Sequence, residues 1–259
     1  MRAIAPADSQ TFLEIGPGRG ALTRPLAAEA LRVVAFEIDR DLAAQLREGA
    51  PPNVRVVDGD FLAVTADRLR TELAQPGAVS PPLEEPLVRA AGNLPYNVAS
   101  PILFKLVELY DAGLHLADAT VMLQREVADR LLAAPGSRDY GVLSILIRHR
   151  ASVQQLLALP PGAFRPAPRV HSTLVRLRFH AADPPARYPA AFAALTRAIF
   201  TRRRKTLANA LLAYQPAQPA PPAEALARAA IDGRRRPETL DIGELVRLSD
   251  VYTNCAQGG

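Results

Sequence analysis

The chain has almost no cysteine: among 259 residues there is only Cys255, in a polar tail. With no second thiol, neither a disulfide framework nor a cysteine metal site can form. Lysine is nearly as scarce, since Lys105 and Lys205 are the only two among 31 basic residues. That imbalance matches a bias in nucleotide composition and carries little functional weight. No apolar stretch reaches the ~18 residues that a membrane span requires, and the start MRAIAPADSQ lacks the charged-then-apolar pattern of a secretory signal. A soluble, cytoplasmic protein with no membrane partner is the expectation. The four histidines, His115, His149, His171 and His180, are scattered and read as surface or packing residues. They offer no constellation for acid–base or metal chemistry.

The hydrophobic fraction of 49% is enough for one α/β domain of about 150 to 200 residues plus a smaller appendage. Short apolar runs rich in β-branched or aromatic residues alternate with amphipathic stretches through the first 180 residues, the pattern of a mostly parallel, doubly wound sheet. Strands are predicted near Thr11–Ile15, Arg32–Glu37, Val54–Val57, Leu87–Ala91, Ala119–Leu123, Ser152–Leu157 and Thr173–Phe179. A helix is predicted over Pro101–Tyr110, with its proline in the first turn, and a proline-bearing loop over Gln75–Pro86. After Phe179 the segment HAADPPARYP reads as a linker, and the rest of the chain has helical patterning without strand-like runs. The predicted division is therefore 1–180 and 188–259, joined by 181–187, with a Pro/Ala-rich loop at Gln215–Pro222.

The net charge of +5 is unevenly placed, because residues 181–259 hold 11 Lys/Arg against 7 Asp/Glu while the first 180 are nearly balanced. Two compact clusters lie there, Arg202-Arg203-Arg204-Lys205 and Arg234-Arg235-Arg236. Such clusters attract a polyanion like nucleic acid, although a solvated helix face is the plainer alternative.

Two segments carry the chemistry. Glu14-Ile15-Gly16-Pro17-Gly18-Arg19-Gly20 ends the first strand and opens a helix, and its glycines let backbone approach a ligand closely. Glu37 and Asp60 end the next two strands, on the edge where open α/β sheets bind ligands. A carboxylate at Glu37 suits ribose hydroxyls and one at Asp60 suits an adenine amine, whereas Asp39 and Asp58 read as capping residues. These features fit an adenosine-containing cofactor without separating S-adenosylmethionine from a nicotinamide nucleotide. The deciding feature is Asn93-Leu94-Pro95-Tyr96 at the end of the fourth strand. An exocyclic adenine amine is a poor nucleophile because its lone pair is delocalised into the ring. The Asn93 amide oxygen and the Leu94 carbonyl can accept its two N–H bonds and aim the lone pair at an activated methyl group. Pro95 stiffens the loop, and Tyr96 offers a flat face to the base. Phe164, in the proline-rich loop PPGAFRPAPRV, is the second aromatic that would sandwich a flipped-out adenine.

The ordered blocks FLEIGPGRGALT, VVAFEIDRDLA, VVDGDF, AGNLPYNVASPILFKL, VMLQREVADRLLA, YGVLSILI, LPPGAFRPAPRVHSTLVRL and FTRRRKTLANAL resemble the KsgA-type (RsmA) small-subunit rRNA adenine N6,N6-dimethyltransferases over nearly the whole chain. The resemblance implies a Rossmann-like S-adenosylmethionine methyltransferase sheet with a small C-terminal helical domain. It also implies dimethylation of two adjacent adenines in the 3′-terminal hairpin of 16S rRNA, within the immature small ribosomal subunit. Glu14, Gly16, Gly18, Glu37, Asp60 and Asn93 would line the cofactor, and Asn93, Leu94, Pro95, Tyr96 and Phe164 would handle the adenine. Arg202, Arg203, Arg204 and Lys205 would contact RNA, no metal is implied, and the chain would act as a monomer. Family members carry a Gln-Asn-Phe-Leu-like motif over the cofactor about two dozen residues before the glycine turn. Here thirteen residues precede Glu14 and none resembles it, so weak cofactor binding and slow turnover are expected. The alternatives are a large-subunit rRNA adenine methyltransferase of the macrolide-resistance type, a non-catalytic RNA-binding assembly or transcription factor of the same fold, and, more remotely, a nicotinamide dehydrogenase.

Overall fold

The computed structural model describes residues 1–74, 87–163, 170–215 and 221–254. The predicted loop over 75–86, Phe164, most of the loop after Gln215, and Cys255 lie outside them. The strands are β1 (Thr11–Ile15), β2 (Arg32–Glu37), β3 (Val54–Asp58), β4 (Val88–Asn93), β5 (Leu116–Gln124), β6 (Ala151–Leu159) and β7 (Ser172–Phe179). The helices are α1 (Thr23–Glu29), α2 (Arg40–Glu48), α3 (Ala66–Leu73), α4 (Ala99–Asp111), α5 (Arg125–Leu132), α6 (Val142–Arg148), α7 (Pro189–Thr201), α8 (Leu207–Leu211), α9 (Pro222–Arg228) and α10 (Ile242–Asn254). Helix α4 starts two residues before Pro101, which therefore occupies its first turn, where a missing N–H costs nothing. Among the described residues no helix is long and apolar enough to cross a membrane, and no group of His, Cys, Asp and Glu is placed to hold a metal ion.

The seven strands form one sheet in the order β3-β2-β1-β4-β5-β7-β6. Strands β1 to β5 pair in parallel, and β7 runs antiparallel to β5. Central β1 is buried at every position, as a strand covered on both faces must be. Edge strand β3 is mostly accessible. Phe12 packs with Leu26, Ala27 and Ala30 around α1, together with Ile4, Val33 and Ala91. The order reverses between β1 and β4, so the chain leaves these two neighbours in opposite directions. The crevice at their carboxyl ends is where this topology receives a ligand.

Contacts divide the chain into two compact units, Met1–Ala128 with Ser152–Phe179, and Asp129–Ala151 with His180–Gly259. The second unit thus takes in residues 129–151, well before the proline-bearing segment 181–187. It holds them by specific contacts. Tyr140 packs edge-on against Phe200, with ring centroids 6.4 Å apart; the Gly136 N–H donates to the Glu238 carbonyl at 2.6 Å; and the buried His149 ring lies 4.6 Å from Phe192.

Candidate active site

Four strand tips build the site, and a backbone hydrogen bond ties each to a neighbouring strand. Gly16 N–H donates to the Phe36 carbonyl at 3.0 Å, Gly59 N–H to the Glu37 carbonyl at 2.9 Å, and Leu94 N–H to the Met122 carbonyl at 3.2 Å. Gly16 and Gly18 have φ of +68° and +54°, a region that favours glycine. The turn they make folds back so that Gly18 N–H donates to Glu37 Oε2 at 2.9 Å. Asp39 N–H donates to the other oxygen, Oε1, at 3.1 Å. Glu37 is therefore nearly buried yet fixed by two donors, with a lone pair left on each oxygen.

Glu14 is the one charged residue in the fully buried strand β1, at 1% exposure, and its Oε2 has no hydrogen-bond partner among the described residues. Burial is the main influence pushing its carboxyl up to about 7, the Glu37 charge adds to the rise, and Thr23 opposes it. Asp60 is exposed and caps a short 3-10 turn, accepting from Leu62 N–H at 2.8 Å. Phe61, edge-on to Phe36 with centroids 5.9 Å apart, seats that turn on β2. Asp39 caps α2 by accepting from Asp41 and Leu42 N–H, and Asp58 lies 3.7 Å from Arg40, so both serve local structure.

The Asn93–Tyr96 loop stands across the crevice. Asn93 ends β4 with an exposed side chain, Leu94 is buried and anchors the loop, and Tyr96 is 42% exposed. Val98 N–H donates to the Pro95 carbonyl at 3.1 Å and closes the turn. A Cβ added at Gly16 would lie 3.9 Å from Pro95 Cδ and 4.0 Å from the Asn93 carbonyl oxygen, while one at Gly18 would meet nothing within 4 Å. The two motifs thus face each other across a cradle kept open by glycine. Sequence reasoning misses Gly92, where a Cβ would fall 2.6 Å from the Ile15 carbonyl oxygen; only glycine lets β4 come this close to the end of β1. Its signal in the sequence is its place immediately before Asn93. The residues present suit a ligand with a ribose, an adenine and a positive charge: two acceptor carboxyl groups, a glycine turn, and a buried carboxyl oxygen without a donor.

The basic cluster lies in the second unit and is not uniform. Arg203 donates to the Ser137 carbonyl at 3.1 Å and lies 3.8 Å from Glu238, and Arg202 reaches the Asn209 carbonyl at 3.4 Å. Arg204 and Lys205 are exposed. In the other cluster Arg234 is forked onto Asp232 and Arg235 onto Glu244.

Comparison with known proteins agrees with this architecture. The crystal structure of a dimethyladenosine transferase from Plasmodium falciparum superposes with a TM-score of 0.72 at 23% identity, covering 95% of this chain and 91% of that one. The crystal structure of the 23S rRNA methyltransferase ErmE gives 0.62 at 26% identity, over 97% and 94%. Curated relatives called ribosomal RNA small subunit methyltransferase A are 41% identical in a Burkholderia species, over 95% of this chain and 83% of the relative, and 41% identical in Acidobacterium capsulatum, over 96% and 83%. The family model described as ribosomal RNA adenine dimethylase matches residues 1–253, and the chain belongs to that family.

Proposed function

We propose that this chain dimethylates the N6 amines of two adjacent adenines in the 3′-terminal hairpin of 16S rRNA, acting as a cytoplasmic monomer on the immature small subunit. The observation that carries this is the approach of the Asn93–Tyr96 loop to the glycine turn at the β1/β4 switch point. The relatives from Burkholderia, Leptothrix cholodnii and Acidobacterium capsulatum, small-subunit enzymes by name, support the choice of RNA.

S-adenosylmethionine supplies a methyl group already activated on a sulfonium. Glu37 would accept the ribose hydroxyls, Asp60 the cofactor's adenine amine, and the turn at Gly16 and Gly18 would leave room for the amino-acid end beside Glu14. The Asn93 amide oxygen and the Leu94 carbonyl would accept the two N–H bonds of the target amine in the first transfer, and one of them the remaining N–H in the second, which localises the lone pair. Tyr96 stacks on the base, with Phe164 as its counterpart. Each transfer leaves a positively charged amine that loses one proton to solvent, so no strong base is required. Arg204 and Lys205, exposed and free of close carboxylates among the described residues, are the cations best suited to RNA phosphates, and Arg202 and Arg203 complete that block.

The test is transfer of labelled methyl groups to small subunits isolated from cells lacking the modification, alongside protein-free large-subunit RNA. Label should enter the small-subunit RNA, and Asn93→Ala should slow it by about 10² to 10³, the range for loss of one transition-state hydrogen-bonding group. Labelling of large-subunit RNA alone, or full activity in Asn93→Ala, overturns the proposal.

A further inference from the structure

Two carboxyl groups share the rim of the cradle: Glu37 is held by two backbone donors, while one oxygen of Glu14 has none among the described residues. Glu14 in β1 is paired in register with Ala35 of β2 and Ala91 of β4. Two residues beyond Ala35, Glu37 holds the Gly18 and Asp39 N–H groups. Glu14 Oε2 is buried with none among the described residues. Burial of a carboxyl away from water disfavours its charged form, and a second carboxyl nearby adds to that effect. Around Glu14, α1 offers the Thr23 hydroxyl, β2 the Glu37 carboxylate and β4 the methyl of Ala91, and among the described residues no arginine or lysine is a source of attraction.

We infer that Glu14 carries a proton in the ligand-free chain and surrenders it to solvent when a cationic ligand settles against the glycine turn, so that cofactor capture is a proton-releasing step. The inference rests on the methyltransferase proposal and adds a proton cycle to it. S-adenosylmethionine has a sulfonium charge that S-adenosylhomocysteine lacks. Both ligands bring the ammonium of the amino-acid end, but only the first adds the sulfonium charge, so an ionised Glu14 is stabilised less by the second and takes back part of its proton after transfer. The same buried carboxyl that grips the methyl donor thereby loosens its hold on the product.

The consequence is measurable without turnover. Raising of the Glu14 carboxyl to about 7 leaves roughly three-quarters of it protonated at pH 6.5. Calorimetric titration of S-adenosylmethionine in buffers of different ionisation heat should show about 0.7 more protons released by the wild type than by Glu14→Gln at pH 6.5, and no difference at pH 8.5. Wild-type affinity should weaken about tenfold from pH 8 to pH 6 beyond any change in the variant. The ligand's own amino group titrates in both arms and drops out of the difference. S-adenosylhomocysteine should draw out fewer protons than S-adenosylmethionine. Equal proton counts in wild type and variant overturn the inference. In the ligand-free chain, the carboxyl carbon resonance lost in Glu14→Gln should titrate near 7, and a midpoint below 5 overturns the inference independently. Failure of the wild type to bind S-adenosylmethionine at all counts against the methyltransferase proposal instead, and the resonance still reports the state of Glu14.

Discussion

Replacing Arg89 by alanine should cost the catalytic unit about 3 kcal/mol, the low end of the 3 to 5 typical for breaking a buried ion pair. Arg89, 8% exposed near the start of β4, grips Asp118 of β5 through Nε and Nη2, both at 2.9 Å. Its remaining donors reach the carbonyls of Ile4 at 2.8 Å and Ala5 at 3.0 Å and the Gln10 side chain at 2.9 Å. Its guanidinium also lies 5.1 Å from the Phe12 ring centroid. The alanine variant leaves Asp118 with Arg176, 3.5 Å away, which is why the low end applies. The N-terminal segment, with Ala5 at φ +50°, loses the Arg89 donors to Ile4 and Ala5 and keeps those of Arg176 to Ala3 and Ile4. At about 2 to 4 °C per kcal/mol for a unit of this size, the melting temperature should fall by about 6 to 12 °C in scanning calorimetry. Amide exchange at Ile4 and Ala5, whose N–H groups bond to the Met1 carbonyl, should quicken. Arg89→Lys should fall between, because an ammonium cannot reproduce the planar fork. A loss below about 1 kcal/mol refutes the view that this cluster clamps the N-terminal residues to the sheet.

Gly92→Ala should push the end of β4 away from the Ile15 carbonyl, since the added carbon would sit 2.6 Å from that oxygen; methyl transfer should drop at least tenfold while far-UV circular dichroism stays unchanged. Stability should depend on pH through Glu14. The folded chain keeps a proton there up to about 7 that the unfolded chain loses near 4.5, so this contribution is present below 4.5 and disappears as pH rises through 7. It amounts to about 3 kcal/mol at most, and Glu14→Gln should be the more stable chain in urea at pH 8 with no advantage at pH 4.5. The double variant Arg204→Glu, Lys205→Glu should weaken binding to small subunits and flatten its salt dependence without changing cofactor affinity in calorimetry; an unaltered salt slope excludes these two from the RNA interface.

Much of the catalytic half is legible in the sequence because its physics is local. The strands β1 and β2 have the predicted bounds Thr11–Ile15 and Arg32–Glu37, since a buried parallel strand must be a nearly unbroken apolar run. Strand β4 is harder to read. It runs on through Gly92 to Asn93, two residues past the predicted end, because Gly92 permits a close contact with β1 that no local pattern announces. Arg89 gives no sign of burial, as a lone arginine in a strand looks like a solvated residue until Asp118 and Arg176 arrive from β5 and β7. Glu14 stands out in the sequence as a carboxyl in an apolar strand, but the burial that raises its carboxyl comes from the elements packed around β1.

The sequence by itself determined the alternation of strands and helices, the glycine turn and the Asn-Leu-Pro-Tyr loop, because apolar periodicity, glycine conformation and proline stiffness act over a few residues. Only the tertiary structure decided that the turn and the loop face each other, that residues 129–151 join the helical unit, and which cations and carboxylates find partners. Those outcomes depend on strand order and on contacts between residues tens of positions apart, where burial and charge are properties of the neighbourhood and not of the residue.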